Sequence, residues 1–133
     1  MLISLLLLPS LLLAPAVAGA ADVLQVRGAT LLQVGDSNRS YGVLLACVGV
    51  DPAEEVAATA WLRQRAPRGT PVNLRPVGQR DGVLLARVRT RAERGRPALD
   101  LGMGLMAEGL AAPLADADPL ACSDRQAEDI TDS

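Results

Sequence analysis

The stretch YGVLLACVGVDPAEEVAATAWLRQR, residues 41–65, contains the change of pattern that decides the fold. Its first ten residues are apolar and rich in β-branched side chains, which predicts a buried strand. Asp51 then provides a helix N-cap, Pro52 suits the first helical position, and Glu54 follows three residues after the cap. Apolar residues recur at helical spacing after that point, so the sequence predicts a helix that ends before Pro67.

The spacing of apolar residues within this helix predicts which side faces the core. We expect Ala57, Ala60 and Trp61 to pack inward, because they recur at helical spacing. Arg63 and Arg65 should then point into solvent. The helix is therefore expected to lie on the surface of the domain with one face buried.

Strands are predicted on both sides of this stretch, bounded by turn clusters at 35–38 and 78–82. Apolar runs rich in β-branched residues cover residues 23–26, 30–34, 71–77 and 83–90. In the last run, the alternation of side chains places Arg87 and Arg89 on the face opposite Val88.

A second helix is predicted over residues 99–111, where Gly102 and Gly104 each weaken it by about 1 kcal/mol relative to Ala. At most, a short third helix begins near Asp118. The order β-β-β-α-β-β-α predicts a mainly β fold with helices (α+β), a small five-stranded antiparallel barrel with two or three helices packed on it. Helices do not alternate with strands, which argues against a parallel α/β sheet.

Composition excludes several classes of site in this chain of 133 residues. It has no His and no Lys, which excludes Ser-His-Asp triads, His-ligated zinc, Schiff-base chemistry and a Walker-type phosphate loop. Two Cys are too few for a Cys-only zinc site. Tyr41 and Trp61 are the only aromatic residues, so a base-stacking surface is poorly supplied. Catalysis would have to use Asp, Glu, Arg, Ser, Thr or Tyr.

Charge is distributed unevenly along the chain. Residues 61–96 carry ten Arg against two acidic residues, a balance of +8. Residues 97–133 carry Arg125 against eight acidic residues, a balance of -7. This division is consistent with a basic face for an anionic partner, or with a basic face partly neutralised by the acidic tail. The alternative is a solvated surface in an Arg-rich, Lys-free protein.

Residues Met1–Ala21 are predicted to be an export signal. An apolar run over 2–13 is followed by small residues, and both 16–18 (Ala-Val-Ala) and 18–20 (Ala-Gly-Ala) fit the cleavage pattern. A membrane anchor is the alternative, but Pro9 interrupts the run, and the small residues end it short of a full span. We therefore expect a periplasmic, extracellular or other extracytoplasmic protein with no stable membrane insertion after cleavage.

Export would permit a disulfide between the two cysteines. Cys47 lies in the apolar run and Cys122 in the acidic tail, so a bridge would tie the tail to the core. The alternative is one buried, inert thiol and one free surface thiol. The predicted organisation is a leader (1–21), a barrel domain (22–112) and an acidic, partly disordered tail (113–133).

Over roughly residues 23–112, the sequence resembles the staphylococcal-nuclease-like (thermonuclease) family. The resemblance rests on the order and spacing of short pieces, none of them specific alone: Gly28-Ala29-Thr30, Val48 to Glu54, Ala60-Trp61-Leu62, Gly69 to Leu74, Arg80 to Val88, Asp100-Leu101-Gly102 and Glu108 to Ala111. The family's fold is an OB-type barrel with helices, which agrees with the order of elements predicted above. The resemblance therefore implies an OB-type barrel for this chain.

The resemblance also implies a chemistry, because members of the family cleave DNA and RNA phosphodiesters with a bound Ca²⁺. Carboxylates hold the cation, a Glu positions or activates water, and two Arg stabilise the charge of the transition state. By the resemblance, Asp51 matches a metal-binding Asp, and Glu54 matches the catalytic Glu. The other metal-binding Asp and the two Arg fall at Ala29, Ala46 and Val83, so three of the five functional groups are replaced.

Other charged residues could compensate for these replacements. Arg80 lies near the same turn as one missing Arg and is a weak catalytic candidate, while Arg87 and Arg89 are candidate anion-binding residues. Asp36 could be proposed as the missing carboxylate, but it lies at a turn tip and should point away from Asp51.

Asp51 and Glu54 also have a structural interpretation, since they fit a capping box. We therefore expect an exported, catalytically degenerate binding or scaffold module whose partner is single-stranded nucleic acid or another polyanion. The alternative is a weak or altered Ca²⁺-dependent nuclease, and Ca²⁺ is expected only in that case. A structural domain with solvated Arg and no anionic ligand ranks third.

Overall fold

The computed structural model describes residues 20–122 and contains eight strands and three α-helices in that part of the chain. They follow the order β1 (Ala20–Val26), β2 (Leu31–Asp36), β3 (Arg39–Leu45), β4 (Val48–Gly49), a 3₁₀ turn (Pro52–Glu54), α1 (Glu55–Arg65), β5 (Pro71–Arg80), β6 (Val83–Thr90), β7 (Leu99–Asp100), α2 (Leu101–Ala107), β8 (Ala112–Pro113) and α3 (Pro119–Cys122).

Five strands close into a barrel, which confirms the predicted α+β fold class. The antiparallel meander β1-β2-β3 joins the β5-β6 hairpin through antiparallel pairing of β1 with β5. The barrel closes where β3 pairs with β6, and this seam is parallel, with Val43 opposite Leu84 and Leu45 opposite Ala86. The short β7 adds one further strand beside β6. The architecture is therefore that of a small OB-type barrel, with one parallel pairing among its antiparallel ones.

Alternate side chains of the strands fill the barrel, because successive residues of a strand point to opposite faces. On β6, Ala86, Val88 and Thr90 are buried and Arg89 is exposed, as the alternation predicted. The largest fully buried side chains come from all five barrel strands and from both longer helices: Val23, Leu32, Val34, Val43, Leu62, Leu74, Val88, Leu101 and Leu105.

The buried face of α1 differs from the predicted one. Ala58 and Leu62 are fully buried, whereas Ala57 and Ala60 are exposed and Trp61 is half-buried. The prediction was wrong for the two alanines, whereas Trp61 does pack against the core. Apolar residues occur on both sides of this helix, so their spacing alone does not choose between the sides. The predicted outward orientation of the arginines is confirmed, since Arg63 and Arg65 are both exposed.

The hairpin between β5 and β6 is tighter than the predicted turn over residues 78–82. β5 continues to Arg80, and only Asp81 and Gly82 form the turn, with φ of 52° and 78°. Positive φ at both central residues is the feature of a type I′ turn, for which Asp-Gly is a favoured pair. The twist of this turn matches that of the flanking strands, so the strands can pair up to the turn itself. β5 ends three residues beyond the predicted strand end at residue 77.

The second helix is shorter than predicted, because Leu99 and Asp100 pair with β6 before the helix begins. Thr90 stabilises the pairing of β6 with β7, since its hydroxyl accepts a hydrogen bond from Leu99 N at 3.0 Å. Asp100 then caps α2, with Oδ1 accepting from Met103 N at 3.0 Å.

Replacing Gly104 by Ala should lower the free energy of unfolding by about 1–2 kcal/mol, although Ala favours an isolated helix. Gly104 is buried, and a Cβ there would lie 2.9 Å from Trp61 Cζ2 and closer still to Cη2. Urea unfolding followed by tryptophan fluorescence measures the change. Gly78→Ala is the control, since a Cβ there meets nothing within 4 Å. A Gly104→Ala variant more stable than the parent would contradict this packing.

The residues after α2 return to the barrel. β8 pairs with β4, and Leu114 N donates to Cys47 O at 3.0 Å. Cys47 and Cys122 form a disulfide, which confirms the predicted bridge and excludes the alternative of two separate thiols. The expected third helix is also present, as α3, and the first part of the predicted tail is therefore attached to the domain.

The predicted leader lies outside the described residues except for Ala20 and Ala21. These two residues pair with Asn73 and Val72 of β5, and Ala21 is buried in the core. Of the two cleavage patterns, the one ending at Ala18 would leave this pairing intact. No helix within residues 20–122 is long and apolar enough to cross a membrane.

Candidate anion-binding cleft

Three of the five positions where the resemblance implies functional groups are occupied by apolar residues, Ala29, Ala46 and Val83. Ala29 is 6% exposed and Ala46 is 4% exposed, and Ala29 belongs to the core cluster. Val83 is half-buried at the start of β6, beside Gly42 of β3. A carboxylate or guanidinium at either alanine position would be buried, and burying a charged group costs free energy unless the group is paired and hydrogen-bonded.

Asp51 and Glu54 lie together in one 3₁₀ turn, but they do not form the predicted capping box. The turn is closed by the main chain, where Glu54 N donates to Asp51 O at 2.9 Å, and neither side chain makes a capping hydrogen bond. Glu54 itself becomes the N-cap residue of α1, which moves the helix start one residue beyond it. This structural interpretation of the two carboxylates was wrong.

Arg80 lies at the end of β5 that faces the hairpin turn, and it is exposed. It pairs with Val83, while Ala46 N donates to Ala86 O farther along the seam. Val83 and Ala86 are three residues apart on β6, which is about 10 Å. The structure therefore places Arg80 beside Val83 and leaves it well separated from Ala46.

Arg87 is held by an acidic partner that the sequence reasoning missed. Its Nε donates to Asp100 Oδ2 at 3.2 Å, Nη2 lies 3.1 Å from the same oxygen, and the two side chains are 10% and 18% exposed. Asp100 thus serves both as helix cap and as counter-ion. The predicted helix over residues 99–111 contained Asp100, so its role as a cap was not predicted; the available signal was that Asp is a preferred N-cap residue. Arg89, by contrast, is exposed on the outer face of the hairpin, opposite Asn73.

Three other arginines converge on a cleft of about 280 Å³ at the far end of β6. Arg65 comes from the last turn of α1, Arg91 follows β6, and Arg96 comes from the loop before β7. The cleft also contains Glu93 and is lined on another side by Leu99. We call these residues the arginine cleft.

Two arginines of the cleft contact an uncharged neighbour through their side chains, and the third is held through its main chain. The Arg65 guanidinium lies over the Trp61 ring, 5.8 Å from its centroid, a cation–π arrangement. Arg91 Nε donates to Asn73 Oδ1 at 3.2 Å. The main chain of Arg96 exchanges two hydrogen bonds with that of Glu93, at 3.0 and 2.8 Å. The contacts of the Arg65 and Arg91 side chains are with uncharged partners, so they leave both positive charges in place.

The arginine cleft is short of negative charge. Within residues 20–122 the one ion pair joins Arg87 to Asp100, so no described carboxylate lies within 4.0 Å of Arg65, Arg91 or Arg96. Clustered like charges raise the local electrostatic potential and attract anions. The excess of Arg over residues 61–96 predicted a basic surface, but the sequence did not show which arginines come together.

Tyr41 is the one tyrosine, and its phenol stays neutral near pH 7. Partial burial raises the pKa of Tyr41 above its ordinary value, and the Asp36 carboxylate raises it further, while Arg39 acts in the opposite direction. A neutral phenol is a weak nucleophile unless an adjacent base activates it.

Comparison with known proteins adds no assignment, since no protein-family model and no curated protein matches this chain. The resemblance to the thermonuclease family therefore stays a prediction that rests on the quoted residues.

Proposed function

We propose that this chain is an exported, non-catalytic member of the staphylococcal-nuclease-like family that binds a polyanion, with single-stranded nucleic acid as the ligand class. The observation that carries the proposal is the convergence of Arg65, Arg91 and Arg96 in one cleft with no carboxylate partner among residues 20–122. Phosphate contacts by Arg supply most of the affinity in sequence-independent binding. The barrel supplies a rigid support for these side chains.

Two observations support the other parts of the proposal. Ala29 and Ala46 are buried and apolar where the resemblance implies a metal ligand and an Arg, which favours loss of catalysis. The Cys47–Cys122 disulfide is compatible with export, because disulfides persist mainly in oxidising compartments.

Binding of a single-stranded DNA oligonucleotide to the disulfide-bonded chain should weaken steeply with salt. Three arginine–phosphate ion pairs predict a slope of log K against log salt of about -2, which is a loss of about 20-fold between 50 and 200 mM salt. Arg91→Gln should reduce the slope by about 0.7. Arg39→Gln, at the exposed start of β3, is the matched control and should leave the slope unchanged. Binding that does not depend on salt would contradict the proposal.

A Ca²⁺-dependent nuclease is the second candidate, and the free carboxylates of Asp51 and Glu54 favour it. Neither carboxylate is occupied by the capping box that would otherwise explain it. The pair does not by itself fit the implied centre, since Ca²⁺ takes six to eight oxygen ligands and Ala29 supplies no side-chain oxygen. We therefore derive no catalytic step through the metal.

Incubation with DNA and RNA, in Ca²⁺ or in a chelator, separates the two candidates. We expect no cleavage in either condition, because the groups that favour the transition state are replaced. Cleavage that needs Ca²⁺ and disappears in Glu54→Ala would establish the nuclease and overturn the non-catalytic proposal. Glu55→Ala, one residue further along, is the control for an unspecific effect of removing charge.

A further inference from the structure

We infer that the arginine cleft binds a terminal phosphate group, a phosphomonoester at the end of a nucleic-acid strand, in preference to internal phosphodiesters. This inference rests on the proposed function, because it specifies which part of the polyanion the cleft takes. It follows from the charge of the cleft, the donors that remain available, and its size.

The charge of the arginine cleft matches a phosphomonoester. Three Arg and Glu93 give a formal charge of +2. A phosphomonoester carries about -1.5 to -2 charges at pH 7, whereas each internal phosphodiester carries about -1. A terminal phosphate therefore neutralises the cleft, and a single internal phosphate leaves about half of the positive charge uncompensated.

The donors that remain in the cleft belong to guanidinium groups. The Arg65 guanidinium carbon lies 5.8 Å from the centroid of the Trp61 ring, and no described residue accepts a hydrogen bond from its N–H groups. Asn73 accepts only from Nε of Arg91, which leaves both Nη groups. The neutral hydroxyl groups of the lining are already engaged: Thr70 Oγ1 donates to Pro67 O at 2.6 Å, and Thr90 Oγ1 pairs with the main chain of Leu99. Guanidinium N–H groups bind phosphate oxygens in bidentate fashion.

The size of the cleft suits one phosphate group. Its volume of about 280 Å³ lies just below the range for drug-sized ligands, which begins near 300 Å³. Pro97, Ala98 and Leu99 form an apolar wall beside the arginines. That wall can contact the terminal sugar while the arginines hold the phosphate. A continuous strand would instead need a groove with charges spaced along it.

The test compares one oligonucleotide sequence with a 5′-phosphate, with a 3′-phosphate and with hydroxyl groups at both ends. Fluorescence anisotropy with the disulfide-bonded chain at 0.1 M salt should show about tenfold tighter binding of at least one phosphorylated form. Inorganic phosphate should compete with that form and less with the unphosphorylated one.

Variants assign the preference to the cleft. Arg91→Gln and Arg96→Gln should each abolish the difference between phosphorylated and unphosphorylated strands, and Arg39→Gln should retain it. Glu93→Gln should strengthen binding of the phosphorylated strand about threefold, because it removes the one acidic side chain of the cleft. A gain of this kind cannot come from loss of folding, and circular dichroism confirms that the Arg variants are folded.

The outcomes separate the inference from the function on which it rests. Equal binding of all three strands, weakened by salt and by Arg91→Gln, would overturn the terminal-phosphate preference and leave the polyanion-binding function standing. Absence of binding by all strands would overturn both. A preference that survives both Arg variants would place the phosphate site elsewhere and overturn the inference.

Discussion

Replacing Asp100 by Ala should lower the free energy of unfolding by about 3–5 kcal/mol, the largest effect we expect from one side chain. The Arg87 guanidinium would stay in a site where the side chain is 10% exposed, without the carboxylate that now balances its charge. The same change removes the hydrogen bond from Met103 N to Asp100 Oδ1, which caps α2. Loss of an N-cap alone costs about 1 kcal/mol.

Denaturant unfolding of the variants separates the two contributions. Asp100→Asn keeps an oxygen for the cap but loses the charge. Its free energy of unfolding should therefore lie between that of the parent and that of Asp100→Ala. Asp118→Ala is the matched control: Asp118 Oδ1 accepts from Leu120 N at 3.0 Å in an exposed helix and has no ion pair with a described residue. If Asp100→Ala cost no more than Asp118→Ala, the ion pair would contribute nothing to stability.

Replacing both cysteines by Ser should lower the free energy of unfolding by about 4 kcal/mol, because the Cys47–Cys122 bond closes a loop of 75 residues in the unfolded chain. A loss of this size is a large share of the 5–15 kcal/mol typical of a domain. The melting temperature should fall by more than 10 °C.

Scanning calorimetry of the double variant measures this effect, and the parent chain in excess dithiol reductant is its control. Both samples should melt at the same temperature, since both lack only the covalent link. A melting temperature that is unchanged by reduction would show that the bond does not constrain the unfolded chain. We use the double variant because a single one would leave a reactive thiol.

Most of the barrel could be predicted from sequence, because its strands alternate cleanly and its turns carry Gly or Asp at the required positions. Val88 and Arg89 show this alternation, and Asp81-Gly82 shows the turn chemistry. The buried face of α1 could not be predicted, since Ala57 and Ala58 are equally apolar and only packing on the sheet distinguishes them. The missing capping box has a similar cause, because the main chain of Asp51 closes the turn instead.

The candidate site was predictable only as a region. Counting charges located an excess of Arg over residues 61–96, but Arg65, Arg91 and Arg96 meet through tertiary packing of three separate segments. The partner of Arg87 was equally hidden, since Asp100 lies 13 residues further along the chain. Sequence spacing shows which residues share a strand face, whereas the meeting of segments depends on how the barrel closes.

The parallel seam between β3 and β6 has a consequence for the order of folding. The β1-β2-β3 meander and the β5-β6 hairpin each join neighbours in sequence. Two pairings are distant: β1 meets β5 across 51 residues between Ala21 and Val72, and the seam brings Val43 to Leu84 across 41 residues. Local pairings form before distant ones because their loop-closure entropy is smaller. We expect the seam to form after the transition state, so Val43→Ala should mainly accelerate unfolding, and Val88→Ala should mainly slow folding. During synthesis, the chain must therefore hold an open sheet until β6 has emerged.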